Sequence, residues 1–245
     1  MEKYWWEAPR PKRSGDSIVL LGNSPAIGLV DLADLRRVET MGVNRILRAF
    51  EPTCYVTFDD MIVTTEQRWL TDAKCSMLLW DGMDRKLLPE IFRRTSTRLV
   101  ALRAKTDEPW LLWPKNAHDR LIWVGNSIGY TIQLAVLMGY KTIGVLGVDF
   151  TANQIRKDGP RLHARTHFYG AGYRYRSSGG GALDGRPLEF LREAPAWAES
   201  LGASLINLSP YDDSPFTTML GWPRMTTAEF VRRPERSDDA SSTVS

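Results

Sequence analysis

The 245-residue chain predicts a single α/β domain of the Rossmann type: a mostly parallel sheet with helices on both faces and a lid segment. Three observations carry this reading. Short runs of β-branched and aliphatic residues alternate with stretches of helical period. The runs are continuously apolar, as strands covered on both faces are. Several of them end in Gly, Asn, Ser or Asp, at the position where open α/β sheets bind their ligands.

Taken in order, Ser17–Leu21 is the first buried strand, and it ends at Gly22, Asn23, Ser24 and Pro25. A helix-like stretch follows around 30–35, with Leu32 and Leu35 on one face. Residues 40–43 form a second short strand leading into Asn44, and 54–58 a third that ends at Asp59 and Asp60. Ser76–Trp80 and 98–102 are further strand candidates. Asn126 opens a helix whose Ile128, Ile132, Ala135 and Val136 share one face. Gly139 stops that helix, because glycine adopts the left-handed conformation of a helix end at no steric cost. Residues 141–148 are an apolar strand ending at Asp149, followed by a last helix over about 187–201 and a strand over 204–208.

Around this core, residues 1–16 read as an irregular arm broken by Pro9, Pro11 and Gly15. Residues 17–232 read as one nucleotide-binding catalytic domain, and 233–245 as a polar, small-residue tail that is disordered. No internal repeat is present.

The composition is that of an ordinary globular protein, 43% hydrophobic and 25% charged, which excludes a wholly disordered or collagen-like chain. Cys54 and Cys75 are too few for a disulfide framework and have no metal-ligand spacing. The apolar runs are too short to span a bilayer, and Glu2 and Glu7 stand where a signal peptide would carry basic residues, so the expected location is cytoplasmic. A net charge of +3 is too small an excess to identify a nucleic-acid binder. The nine tryptophans are scattered, which suits core packing and contacts in a homo-oligomer better than a platform for bases.

Neither G-x-G-x-x-G nor G-x-x-x-x-G-K-[ST] occurs, so the usual NAD and P-loop sites are unsupported. The residues at the strand ends are instead small or amide-bearing: Gly22, Asn23, Ser24, Asn44, Asp59, Asn126, Ser127, Gly129 and Asp149. Glycine admits a close backbone approach, and a helix N-terminus favours an anion. The set suits hydrogen bonds to a nucleobase, a ribose and one or two phosphates. Any one of these residues could equally serve only as a cap or turn.

The runs from Ile18 to Pro25 and from Gly42 to Arg45, the Asn126-Ser127-Ile128-Gly129 helix start with Leu134-Ala135 and Met138 to Ile143, and Gly147 to Phe150 together resemble the bacterial sialyltransferases of the lipooligosaccharide type. They are equally similar to motor-accessory-factor glycosyltransferases and to 6-hydroxymethylpterin pyrophosphokinase-like proteins. The resemblance covers roughly residues 17–210. It implies a metal-independent CMP-sugar site. Asn23 and Ser24 would lie beside the phosphate and ribose, Asn44 beside the cytidine, and Ser127, Ile128 and Gly129 beside the nucleotide. Two departures put the donor's identity in question. The sialyltransferases carry Thr-Ser-Gly where Asn126-Ser127-Ile128-Gly129 stands, and an Asn near the position of Asp59, where an aspartate could hold ribose hydroxyls or a metal.

A long aperiodic stretch over about 151–185 reads as a lid rich in cationic and phenolic donors. Such donors stabilise the charge that grows on a leaving nucleoside phosphate. The lid holds His163 and His167, and His167, flanked by Phe168 and Tyr169, is the expected base for an acceptor hydroxyl. Tyr169 and Tyr173 are expected donors to the leaving phosphate. The resemblance places the family's histidine nearer Tyr175 or Arg176, so His167 is not a motif match.

The expected function is transfer of a sugar from a CMP- or UDP-type nucleotide sugar to a hydroxyl on a glycan, a protein or a hydroxylated DNA base. No tightly bound cofactor is required. The alternatives are a Mg²⁺-dependent pyrophosphokinase-like phosphoryl transferase using Asp59, Asp60 and Asp149, and a non-catalytic nucleotide-binding relative. The basic cluster Arg10-Pro11-Lys12-Arg13 would suit a phosphate-bearing acceptor such as DNA.

Overall fold

The computed structural model describes residues 3–4, 15–80, 100–102, 104–105, 113–122, 124–150 and 185–233. Its centre is an eight-stranded sheet in the order β1-β6-β5-β4-β3-β2-β9-β10. The strands are β1 (Lys3–Tyr4), β2 (Ser17–Leu21), β3 (Glu39–Val43), β4 (Cys54–Thr57), β5 (Ser76–Trp80), β6 (Val100–Leu102), β9 (Thr142–Leu146) and β10 (Ser204–Asn207). Every neighbouring pair is parallel. A separate two-stranded parallel ladder pairs β7 (Ala104–Lys105) with β8 (Leu121–Ile122). The fold is therefore the α/β Rossmann-like architecture expected from the alternating apolar runs.

Side chains alternate across β2 and feed two cores. Ile18 and Leu20 point to one face, where they meet α3 (Ser127–Leu137) and α4 (Gly185–Ser200). Val19 and Leu21 point to the other, with Ile27, Leu35, Phe50 and Phe230. α3 is buried all round from Ile128 to Leu137, as a helix apolar on every side must be. Its one buried amide is fully used. Gln133 accepts from the Ile122 N–H at 2.7 Å and donates to the carbonyls of Ile122 and Gly129 at 3.1 Å, which fastens β8 to the helix.

Both long helices end in the same way. Gly139 (φ +86°) follows α3, with Gly139 N–H donating to Val136 and Tyr140 N–H to Ala135. Gly202 (φ +75°) follows α4, with the matching bonds to Glu199 and Ala198. These paired bonds satisfy carbonyls that the helix leaves open, and the left-handed residue between them is glycine.

The stretch at 30–35 departs from the helix expected there. Two short 3₁₀ turns, Pro25–Leu29 and Asp34–Arg37, flank an extended Val30. The Asp31 carboxylate accepts from the Ala33 N–H at 2.9 Å, a local turn that competes with helical bonding. Lys3–Tyr4, within the arm read as irregular, adds an edge strand beside β6. The remaining helices are short: α1 (Asp60–Thr65), α2 (Gln67–Asp72), α5 (Pro215–Leu220) and α6 (Thr227–Arg232). Among the described residues no helix is long and apolar enough to cross a membrane. Cys54 and Cys75 are free and buried.

Candidate functional site

A parallel sheet gathers all its strand ends on one edge. The chain runs outward from β2 through β3, β4, β5 and β6, then returns to place β9 on the other side of β2. The edge above β2 and β9 is thus the point where the connections diverge, and open α/β sheets bind ligands there.

The two loops at this point touch through their backbones. Gly22 N–H donates to the Leu146 carbonyl at 2.8 Å, and Ser24 N–H to the Gly147 carbonyl at 2.9 Å. A Cβ on Gly22 would stand 2.2 Å from the Gly147 oxygen, so only glycine fits. Gly147 itself has φ +75°.

Directly beneath, Asp149 is wholly buried and accepts hydrogen bonds from the hydroxyls of Ser24 and Ser209. Burial pushes its carboxyl above the ordinary aspartate range, against the opposing pull of Ser209 and Ser24. Ser24 also accepts from the Ala26 N–H at 3.2 Å and so caps the first 3₁₀ turn. The polar side-chain atoms of Ser24 and Asp149 are therefore engaged with one another inside the protein.

Asn23 is similarly committed. Its amide donates to the Val43 carbonyl at 3.0 Å and accepts from the Arg45 N–H at 3.1 Å. These bonds bracket Asn44, which adopts φ +53°, and the Asn44 carbonyl accepts from the Tyr55 hydroxyl at 2.6 Å. The first strand's loop thus fixes the shape of the second's. Asn44, half-buried at the edge, then accepts from the Ser127 hydroxyl at 3.3 Å.

Ser127 begins α3. The Asn126 carboxamide oxygen accepts from the Gly129 N–H at 2.8 Å, capping the helix, while its buried Nδ2 has no hydrogen-bond partner among the described residues. The N–H groups of Ser127 and Ile128 precede the first intrahelical bond and have no acceptor within the helix. Gly129 serves packing: a Cβ there would lie 2.2 Å from a Val124 methyl. Asp59, half-buried at the end of β4, caps α1 by accepting from the Met61 N–H at 2.8 Å. Asn23, Asn44, Asn126 and Ser127 are thus joined at one place.

Sequence reasoning missed a second cluster beside it. Arg45 and Glu66, 4% and 2% exposed, pair at 2.7 Å, and Arg48 reaches both Glu66 oxygens at 2.7 Å. Burial raises the Glu66 carboxyl, but the Arg48 and Arg45 guanidiniums outweigh that, and the net position lies below the ordinary glutamate value. Arg45 follows Asn44 directly, which is the one sequence signal that could have drawn attention to it. Ser209 was missed too, because nothing in the sequence ties the end of β10 to Asp149.

His163, His167, Tyr169 and Tyr173, with residues 151–184 of the lid read over about 151–185, lie outside the described residues, as do most of the arm and the tail beyond 233. His118 is exposed and lies before β8. Among the described residues no three His, Cys, Asp or Glu side chains are grouped to hold a metal. A groove of about 650 Å³ lies between the 3₁₀ turns and the end of β10, lined in part by Val30, Asp34, Leu208, Ser209 and Arg224.

No family model matches the chain, and no curated protein matches it in sequence. Solved structures similar to it include the monofunctional α-2,3-sialyltransferase Cst-I from Campylobacter jejuni, 12% identical, with a TM-score of 0.51 over 94% of this chain and 88% of that one. Two others are an α-2,3-sialyltransferase from Campylobacter jejuni in apo form (13% identity, TM-score 0.45, 86% of this chain and 81% of that one) and the Campylobacter jejuni sialyltransferase CstII with the substrate analogue CMP-3FNeuAc (13%, 0.42, 83% and 84%). At 12% identity the likeness to Cst-I is one of fold.

Proposed function

We propose that this chain is a glycosyltransferase that takes a sugar from a CMP- or UDP-type donor and passes it to a hydroxyl acceptor. The observation that carries the reading is the meeting of Asn44 and Ser127, 3.3 Å apart, at the open N-terminus of α3. Unpaired N–H groups and the positive end of an eleven-residue helix favour a phosphate there. The Asn44 and Ser127 side chains supply the adjoining hydrogen bonds. Asp59 has a second carboxylate oxygen for ribose hydroxyls. Asn23, Ser24 and Asp149 act one step back, holding the loops after β2, β3 and β9 in place.

In the reaction the acceptor oxygen attacks the anomeric carbon as the bond to phosphate breaks, and the nucleotide departs. The base for the acceptor proton is His167, with Tyr169 and Tyr173 as donors to the departing phosphate. Retention of the loop-and-helix geometry without turnover would make the chain a nucleotide-binding relative.

Isothermal titration with CMP, UMP and UDP, followed by mass spectrometry of reactions with CMP- and UDP-sugars and mixed hydroxyl acceptors, tests this. Micromolar binding of one nucleotide and a mass gain of one sugar residue are expected. Absence of binding to every nucleotide removes the reading.

A further inference from the structure

We propose that Phe58 is the stacking platform for the base of the bound nucleotide. The inference rests on the nucleotide reading above and names the surface that would recognise the base.

Phe58 is the first residue beyond β4 and so stands on the ligand edge of the sheet. The register pairs Val43 with Val56, which puts Asn44 level with Thr57 and Phe58 one step further out. Its ring lies nearly parallel to Tyr130, with centroids 3.8 Å apart and planes 18° from each other. Tyr130 is in the first turn of α3 and only 1% exposed, so it forms a fixed backing. One face of the Phe58 ring is therefore covered, yet Phe58 as a whole remains only half-buried. Part of its surface packs against the core on the α3 side, and the remainder is exposed.

A flat aromatic ring, fixed behind and still partly exposed, offers what a base requires. Every base has a π-face, and stacking depends on a rigid parallel surface more than on a particular hydrogen-bond pattern. Asp59 is next in sequence and Asn44 follows the adjacent strand, so polar residues lie beside this apolar one at the sheet edge, a mixture usual in ligand sites.

The test compares CMP with ribose 5-phosphate, which keeps the sugar and phosphate but lacks the base. Both are titrated into the wild-type chain, Phe58→Leu and Phe58→Tyr, with folding checked by thermal melting. The expected result is that Phe58→Leu weakens CMP about 10-fold, leaves ribose 5-phosphate unchanged, and that Phe58→Tyr binds CMP like the wild type. Equal weakening of both ligands, or no weakening of CMP, overturns the platform while the nucleotide reading stands. A wild-type chain that binds no nucleotide removes both. A second measurement needs no variant: in saturation-transfer NMR of wild type with CMP, the base H5 and H6 protons should receive more saturation than the ribose protons. Weaker saturation of the base overturns the proposal.

Discussion

Ser24 and Ser209 both donate to the carboxylate of Asp149, so a single buried side chain ties the turn after β2 to the end of β10 on the far side of β9. Replacing that acceptor by Asp149→Ala leaves two buried O–H donors without their acceptor and should cost about 3 kcal/mol in urea unfolding.

Asp149 also gives the molecule a pH signature. Because burial raises its folded pKa, folding favours the protonated carboxyl. The stability it contributes is complete below the ordinary aspartate value of about 4, is lost as pH rises through the raised value, and is constant beyond it. The Tm difference between wild type and the non-titrating Asp149→Asn should therefore fall as pH rises from about 4 toward neutrality. A difference that stays flat across that range would disprove the assignment.

Glu66 should show the opposite slope. Its pKa is held below the usual glutamate value, so its contribution is present at neutral pH and lost as pH falls through the lowered value. Glu66→Gln removes the carboxylate charge paired with the buried Arg45 and should destabilise by roughly 3 kcal/mol at pH 7. Arg48 is 37% exposed, and Arg48→Ala should cost about 1 kcal/mol or less. Denaturation curves at pH 7 and at a series of pH values below about 4 check both the size and the sign.

Gly22→Ala is expected to be among the costliest small changes in the chain. Its new methyl would meet a backbone oxygen at 2.2 Å, and backbone cannot swing aside as a side chain can. A loss of about 2–3 kcal/mol, measured by urea unfolding, is expected from the forced shift. A variant as stable as wild type would show that the two loops separate freely.

Asn44 allows backbone and side chain to be told apart. At φ +53°, Asn44→Gly keeps the left-handed turn and should fold like wild type, whereas Asn44→Ala should lose about 1 kcal/mol. Both remove the amide at Ser127, and both should weaken nucleotide binding about 10-fold by titration. Unchanged affinity in Asn44→Gly would take Asn44 out of the site.

The longer strands were legible because parallel strands covered on both faces are continuously apolar, whereas β1, β7 and β8, two residues each, were not read. The run from Ile18 to Leu21 could hardly be anything else, and Asn126 and Gly139 mark the two ends of α3 by their chemistry alone. α1 and α2, six residues each, are too short to show a helical period, and they went unread. At the strand ends the sequence showed which residues are polar but not which way they turn. Asn44 faces the edge while Asp149 faces inward, and that difference is decided by Ser209, sixty residues further along the chain. Glu66 was invisible for the same reason: its partners Arg45 and Arg48 come from another loop.

The central position of β2 bears on how the protein emerges from the ribosome. The pairing of β2 with β9 joins residues about 125 apart, as the Ser24–Asp149 separation shows. Strands β2 through β6 are synthesised first and can assemble as a partial sheet, with the apolar border Ile18–Leu21 bare until Thr142–Leu146 follows. Such late, non-local closure slows folding and leaves a sticky nascent chain, so translation speed and chaperone supply should govern its yield in a cell.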